Sequence, residues 1–204
     1  MVTVPGPVIA VMAHPDDLEL WAGGTLALHT QHAPVTGAVR SHDPQRDAEA
    51  RAGARILGID IELHPCLDAA TIADLIHRHR PDVLLTHPLD DVHPDHRATA
   101  EAVLTALPDA HIATGTPRRL YTCDTYNSLT LNGPLHAPVI IDITTTYEQK
   151  TAALAQHRSQ PITEHFGPMA DNLSALWGAR IGTTRAEAFR PLSILGRLPA
   201  TAHL

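Results

Sequence analysis

Apolar residues fall along this chain in short runs separated by longer helical patterns. The runs at residues 8–13, 35–40, 59–64, 83–86, 120–124 and 139–143 read as strands, and the stretches 24–31, 44–57, 70–78 and 94–107 between them read as helices. In "RDAEARAGARILG" the Ala, Ile and Leu positions recur at helical spacing and run into Gly58, a C-terminal stop signal. Strand–helix alternation of this kind predicts an α/β protein with a mostly parallel sheet covered by helices on both faces.

Beyond residue 125 the pattern weakens. "TYNSLTLNGPLHAPV" reads as a loop or hairpin and "YEQKTAALAQH" as one more amphipathic helix. Residues 158–171 look irregular, a last helix is expected over 173–180, and a short element over 188–192. No internal repeat, low-complexity tract or linker divides the chain, so residues 1–204 are expected to form a single domain.

Composition narrows the function classes. The 204 residues suffice for a complete hydrophobic core, and 44% of them are hydrophobic. The formal charge is −7 with no dense block of Lys or Arg, so nothing suggests a nucleic-acid or anionic-membrane partner. No run is long enough for a membrane span and no secretory signal is evident, which makes a cytoplasmic protein the simple reading. Two cysteines, Cys66 and Cys123, stand far apart outside any CxxC pattern, against a disulfide framework or a thiolate metal site. Lys150 is the only lysine. Fifteen histidines are far more than one site needs, so an isolated His carries little weight.

The chemistry concentrates at two turns. After the first strand, where a dinucleotide-binding protein would carry GxGxxG, stands "AHPDDLELWAGG", residues 13–24. Its two carboxylates would repel a pyrophosphate, so a nicotinamide or flavin enzyme is disfavoured. After the fourth strand comes "THPLDDVHPDHRATA", residues 86–100. In the common doubly wound order strands one and four are neighbours, and ligands bind beyond their C-terminal ends. Two loops distant in sequence would therefore meet. Zinc accepts imidazole nitrogen and carboxylate oxygen, and a catalytic site has three protein ligands plus water; His14, Asp17 and His96 could supply the three. Zinc lowers the pKa of its water to about 7. Asp16 is placed to act as general base, a protonated His93 to steady an oxyanion, and Asp95 to orient an imidazole or hold it charged. Taken singly, Asp16 or Asp17 could merely cap a helix and either His could lie on the surface. Both clusters at one crevice are hard to assign to coincidence.

"AHPDDLELWAGGTLA" followed by "HPDH" resembles the LmbE-like, or PIG-L, family of zinc-dependent N-deacetylases. "EARAGARILGI", "RPDVLLTHP", "VIIDIT" with "HRSQ", and "AEAF" are similar to further family segments in the same order, over nearly the whole chain. The resemblance implies a Rossmann-like fold, Zn2+ held by His14, Asp17 and His96, Asp16 as general base and His93 at the oxyanion. It also implies cleavage of an acetamide on an amino sugar such as an N-acetylglucosamine conjugate. A site of two His and one carboxylate also suits iron(II). Three departures stand out: Leu18 replaces a further acid, the loop "RSHDPQRDAEA" is short, and Asp91 stands where some relatives acting on inositol-linked glucosamine have Tyr.

Other residues are open to two readings. Arg40, His42 and Arg46 could grip sugar hydroxyls or an anionic group, or form a solvated helix start. His157 or Arg158 of "HRSQ" could orient substrate or shape a pocket wall. His87 with Asp90 could support the site or make a turn, and Trp21 could pack in the core or stack on a sugar. His77, His79 and His136 read as surface residues. The expected partner is a small N-acetylated sugar or glycoconjugate, with a homo-oligomer left open. The rival readings are an amidase for a bulkier acyl group, a phosphoesterase using the same metal, and a non-catalytic protein that keeps its metal.

Overall fold

The computed structural model describes residues 5–198. Five parallel strands form the heart of the sheet: β1 (Val8–Met12), β2 (Val35–Arg40), β3 (Asp60–His64), β4 (Val83–Thr86) and β5 (Arg119–Thr122). Two further strands, β8 (Val139–Asp142) and β9 (Ala186–Leu192), extend it antiparallel in the spatial order β3-β2-β1-β4-β5-β9-β8. The mostly parallel α/β sheet is therefore as the alternation implied. The β1–β4 neighbourhood is present as well, with Ala10 opposite Leu85. A two-residue pair, β6 (Leu129–Thr130) with β7 (Gly133–Pro134), makes the small hairpin after residue 125.

The period-two pleat of β1 sorts its side chains between two cores. Val8, Ala10 and Met12 face one, with residues of α1 (Asp17–His29), α2 (Pro44–Leu57), α5 (Tyr147–Leu154) and α6 (Gly167–Ile181). Ile9 and Val11 face the other, with α3 (Ala69–His79) and α4 (Pro94–Thr114). All five residues of β1 are buried, as a central strand covered on both faces requires.

Several boundaries differ from the sequence reading. Helix α1 begins at Asp17 rather than at residue 24, because "DLELWAGG" is buried on all sides and has no polar face to give it a helical period. Gly24 lies inside α1 because a Cβ there would stand 2.7 Å from Ile143 Cβ. Helix α4 continues past 107 through Pro108 to Thr114 and closes on left-handed Gly115. The irregular 158–171 stretch contains a π-helical turn, Ile162–Phe166, and α6 starts directly after it. The short element foreseen at 188–192 is the full strand β9, wedged between β5 and β8. Among the described residues no helix is long and apolar enough to cross a membrane.

Candidate active site

The turn leaving β1 and the loop leaving β4 meet at the C-terminal edge of the sheet. From the first come His14, Asp16 and Asp17; from the second, His87, Asp91, His93, Asp95 and His96. Asp17 opens α1 and is buried with 3% exposure. Its Oδ2 accepts from the His14 backbone N–H at 2.7 Å and lies 3.1 Å from His14 Nδ1. Its Oδ1 accepts from Trp21 Nε1 at 2.9 Å and lies 3.4 Å from His96 Nε2.

Hydrogen bonds assign a task to each histidine nitrogen, since a neutral imidazole has one donor and one acceptor. His96 Nδ1 faces the Asp91 carboxylate at 3.1 Å and donates to it, so in the neutral ring the lone pair falls on Nε2, the nitrogen that a cation would take from a proton. That Nε2 is buried and has no hydrogen-bond partner among the described residues. His87, fully buried and stacked on His96 at 3.8 Å between centroids, accepts the Ala13 N–H on Nε2 at 3.0 Å. Its proton therefore sits on Nδ1, toward Cys123 Sγ. His93 is the N-cap of α4: its Nδ1 accepts the Asp95 N–H at 3.2 Å, so its Nε2 carries the proton and is the donor. His14 has a carboxylate on each side, Asp17 on Nδ1 and Asp95 Oδ2 at 3.2 Å from Nε2. Asp95 thus turns to His14 rather than to the His93 ring.

Electrostatics follow from this packing. Burial pulls His96 down, but the Asp17 and Asp91 carboxylates outweigh it and push the imidazole up to about 10. Asp17 is driven well below the ordinary carboxylate value by His96 and His87, despite a desolvation penalty of the opposite sign. Burial, followed by the charge of Asp17, raises Asp16. Burial lowers His93, and His96 and His14 lower it further, so the imidazole facing the site is neutral. The region between Asp17 and His96 is a strong seat for a positive charge.

Two overlapping trios have ligand atoms close enough to share an ion, His14–His93–His96 and Asp17–His87–His96, and both include His96. In His87 and His93 a backbone N–H occupies one nitrogen and the proton the other. The groups that remain are His96 Nε2, the Asp17 carboxylate and His14, whose two ring nitrogens each face a carboxylate and one of which would give up its proton to a cation. The orphaned His96 Nε2 beside them fits a divalent cation.

The remaining expected residues divide. Arg46 reaches the cluster, its guanidinium 3.1 Å from Asp16 Oδ1. The His42 ring lies 5.8 Å from that of His14, and Arg40 contacts His42 at 3.4 Å, so both stand at the rim. His157 is fully buried against Glu19 Oε2 at 3.3 Å, behind the site, and Arg158 is exposed. Trp21, 2% exposed, packs against Asp17 and offers no face for a sugar. Asp90 pairs with Arg190 at 3.1 Å, away from His87. His77 and His136 are exposed, while His79 is half-buried against Glu62. Sequence reasoning missed Asp91 as the carboxylate that orients His96; its place five residues before His96, in an acid-rich turn, was the available signal.

Fold and cluster together define an α/β protein with a His/Asp cluster able to hold a cation at the C-terminal edge of a Rossmann-like sheet. Residues 9–107, which contain both motif turns, match the family model described as PIG-L: GlcNAc-PI de-N-acetylase. Similar solved structures extend the likeness to the whole fold. A conserved protein from Thermus thermophilus is 24% identical with a TM-score of 0.79, covering 96% of this chain and 99% of its own. The 4-carboxy-2-hydroxymuconate hydratase of Pseudomonas putida is 21% identical at 0.79, covering 98% and 99%. The N,N′-diacetylchitobiose deacetylase of Pyrococcus horikoshii is 22% identical at 0.74, covering 93% and 84%.

Proposed function

We propose that this protein is a zinc-dependent N-deacetylase that removes the acetyl group from an N-acetylated amino sugar or glycoconjugate. The observation that carries the reading is the buried, unpartnered Nε2 of His96 between Asp17 and the motif turn, its tautomer set by Asp91. The family match and the deacetylase among the similar structures support the reaction class. His14, Asp17 and His96 would hold the ion, for which iron(II) is the second candidate. Once bound, the ion supplies Lewis acidity and a more acidic water at neutral pH.

The chain's own groups do the rest. Asp16, raised by burial and Asp17 yet held by Arg46, accepts the proton of the attacking water. His93 donates its Nε2–H to the oxyanion as a neutral imidazole, because the Asp95 N–H occupies Nδ1. The proton on Asp16 then passes to the nitrogen of the leaving amine. Asp95 steadies His14, and Arg40 and Arg46, with a neutral His42 beside them, form the rim that meets the substrate.

Acetate release from a panel of N-acetylglucosamine conjugates, N,N′-diacetylchitobiose included, tests the proposal on protein loaded with one equivalent of zinc. Release that stops on chelation and falls by about 10²-fold or more in Asp16→Ala is the expected result. A zinc-bound protein that releases acetate from no conjugate overturns it. Turnover of a longer N-acyl chain would then favour the bulkier amidase, and hydration of an unsaturated acid would favour the chemistry of the Pseudomonas relative.

A further inference from the structure

Behind Asp16, α1 and α2 meet along a polar seam. On α1 the seam is formed by Asp16 and Glu19, one turn apart; on α2 by Arg46, Glu49 and Gly53, at successive turns of one face. Arg46 pairs with Asp16 at 3.1 Å. Beside Gly53 the backbone leaves a hollow. A Cβ there would stand 2.2 Å from Glu19 Oε1 and 3.3 Å from His157 Nε2. The segment after α5 enters this hollow from the side. His157 Nε2 lies 3.3 Å from Glu19 Oε2, and both residues have 0% exposure. Ser159 anchors the segment to α2, donating its N–H and Oγ–H to Glu49 at 3.0 and 2.6 Å.

Neither Glu19 nor His157 has another hydrogen-bond partner for its side chain among the described residues. A fully buried ion pair with no further support is a poor source of stability, since desolvation offsets its attraction. Its surroundings suggest a different use. Arg46 reaches Asp16 from the same seam that Ser159 ties to the His157 segment through Glu49. We infer that Glu19 and His157 are positioning residues for the catalytic Asp16, pinning the first turn of α1 to α2 so that Asp16 and Arg46 keep their mutual geometry. The inference rests on Asp16 being the base of the proposed deacetylation. It reassigns His157 from the substrate side of the site to its rear wall.

A double-mutant cycle on the full-length zinc-loaded chain tests it. His157→Gln is expected to lower kcat for the fastest acetylated conjugate about tenfold, with KM within about twofold and zinc content unchanged, because a misplaced base loses rate before binding. In an Asp16→Asn background the same substitution is expected to leave the residual rate unchanged within about twofold. Full multiplication of the two losses, or a His157→Gln enzyme with wild-type kcat, overturns the inference. Glu19→Gln, nearly isosteric, carries the same cycle if His157→Gln does not fold. If the wild-type chain releases no acetate, the functional reading has failed, and the seam is judged by crystal structures of the two variants. Loss of the Asp16–Arg46 contact supports the positioning role; an unmoved Asp16 overturns it.

Discussion

Replacing Asp91 by Asn would leave His96 its neighbours but not its fixed tautomer. The carboxylate accepts only, so it selects the Nδ1–H form; an amide can also donate and permits the other. Asp91→Asn is expected to weaken zinc binding about 10–100-fold in a competition titration with a chelator, with the fold retained. Binding unchanged from the wild type would remove Asp91 from the site. At this scale the sequence was most legible where partners lie close along the chain. His14, Asp16 and Asp17 announce themselves in one turn, and His93, Asp95 and His96 in another. Asp91, Trp21 and Glu19 did not, because their roles depend on which atom of which residue they face. An acid in an acidic turn, a Trp in an apolar run and a Glu at a helix start each look ordinary until the partner is in place.

Elements were legible where one face is wet. Helix α3, with its apolar and polar sides, was placed within one residue at either end, whereas the start of α1 was missed because burial on every side erases the period. The helix expected over 94–107 ends before Pro108, but tertiary packing of Val103, Ala106, Leu107 and Ala110 carries α4 through it. Between β3 and α3 the connection is partly electrostatic. Glu62 receives Arg78 at 2.9 Å and His79 at 2.6 Å, and these bonds, Arg78 first, hold its carboxyl at about 2 rather than 4.5. A depressed acid stabilises the fold fully above its unfolded value and loses that contribution as pH falls through the folded one. Glu62→Gln is therefore expected to cost about 1 kcal/mol or less at pH 7, given solvent screening. Against the wild type the difference in melting temperature should shrink between pH 4.5 and about 2. A difference that stays constant across that window would place the effect in packing instead.

For the whole molecule the decisive interaction joins segments far apart in sequence. Lys150 of α5 and Glu187 of β9 form a buried pair at 2.6 Å, and both also grip the middle of α1. The ammonium donates to Leu20 O at 3.0 Å, while the carboxylate accepts the N–H groups of Gly24 and Thr25 at 3.0 and 2.8 Å. Lys150→Met strands a buried carboxylate and is expected to cost about 3–5 kcal/mol in denaturant unfolding. A loss below about 1 kcal/mol would mean that water or another cation replaces the ammonium. No local pattern discloses such a pair; the sequence showed only that the chain's single lysine lies in a helix. The position of β9 also imposes an order in time. As the chain leaves the ribosome, both motif turns emerge long before residues 186–192, yet α1 has no carboxylate clamp, and β5 no neighbour on its outer edge, until that strand slots in. The motif turns are thus made early and fixed late. A chain interrupted before β9 would present an open strand edge beside an unclamped site, a form suited to capture by a chaperone or to pairing with another unfinished copy.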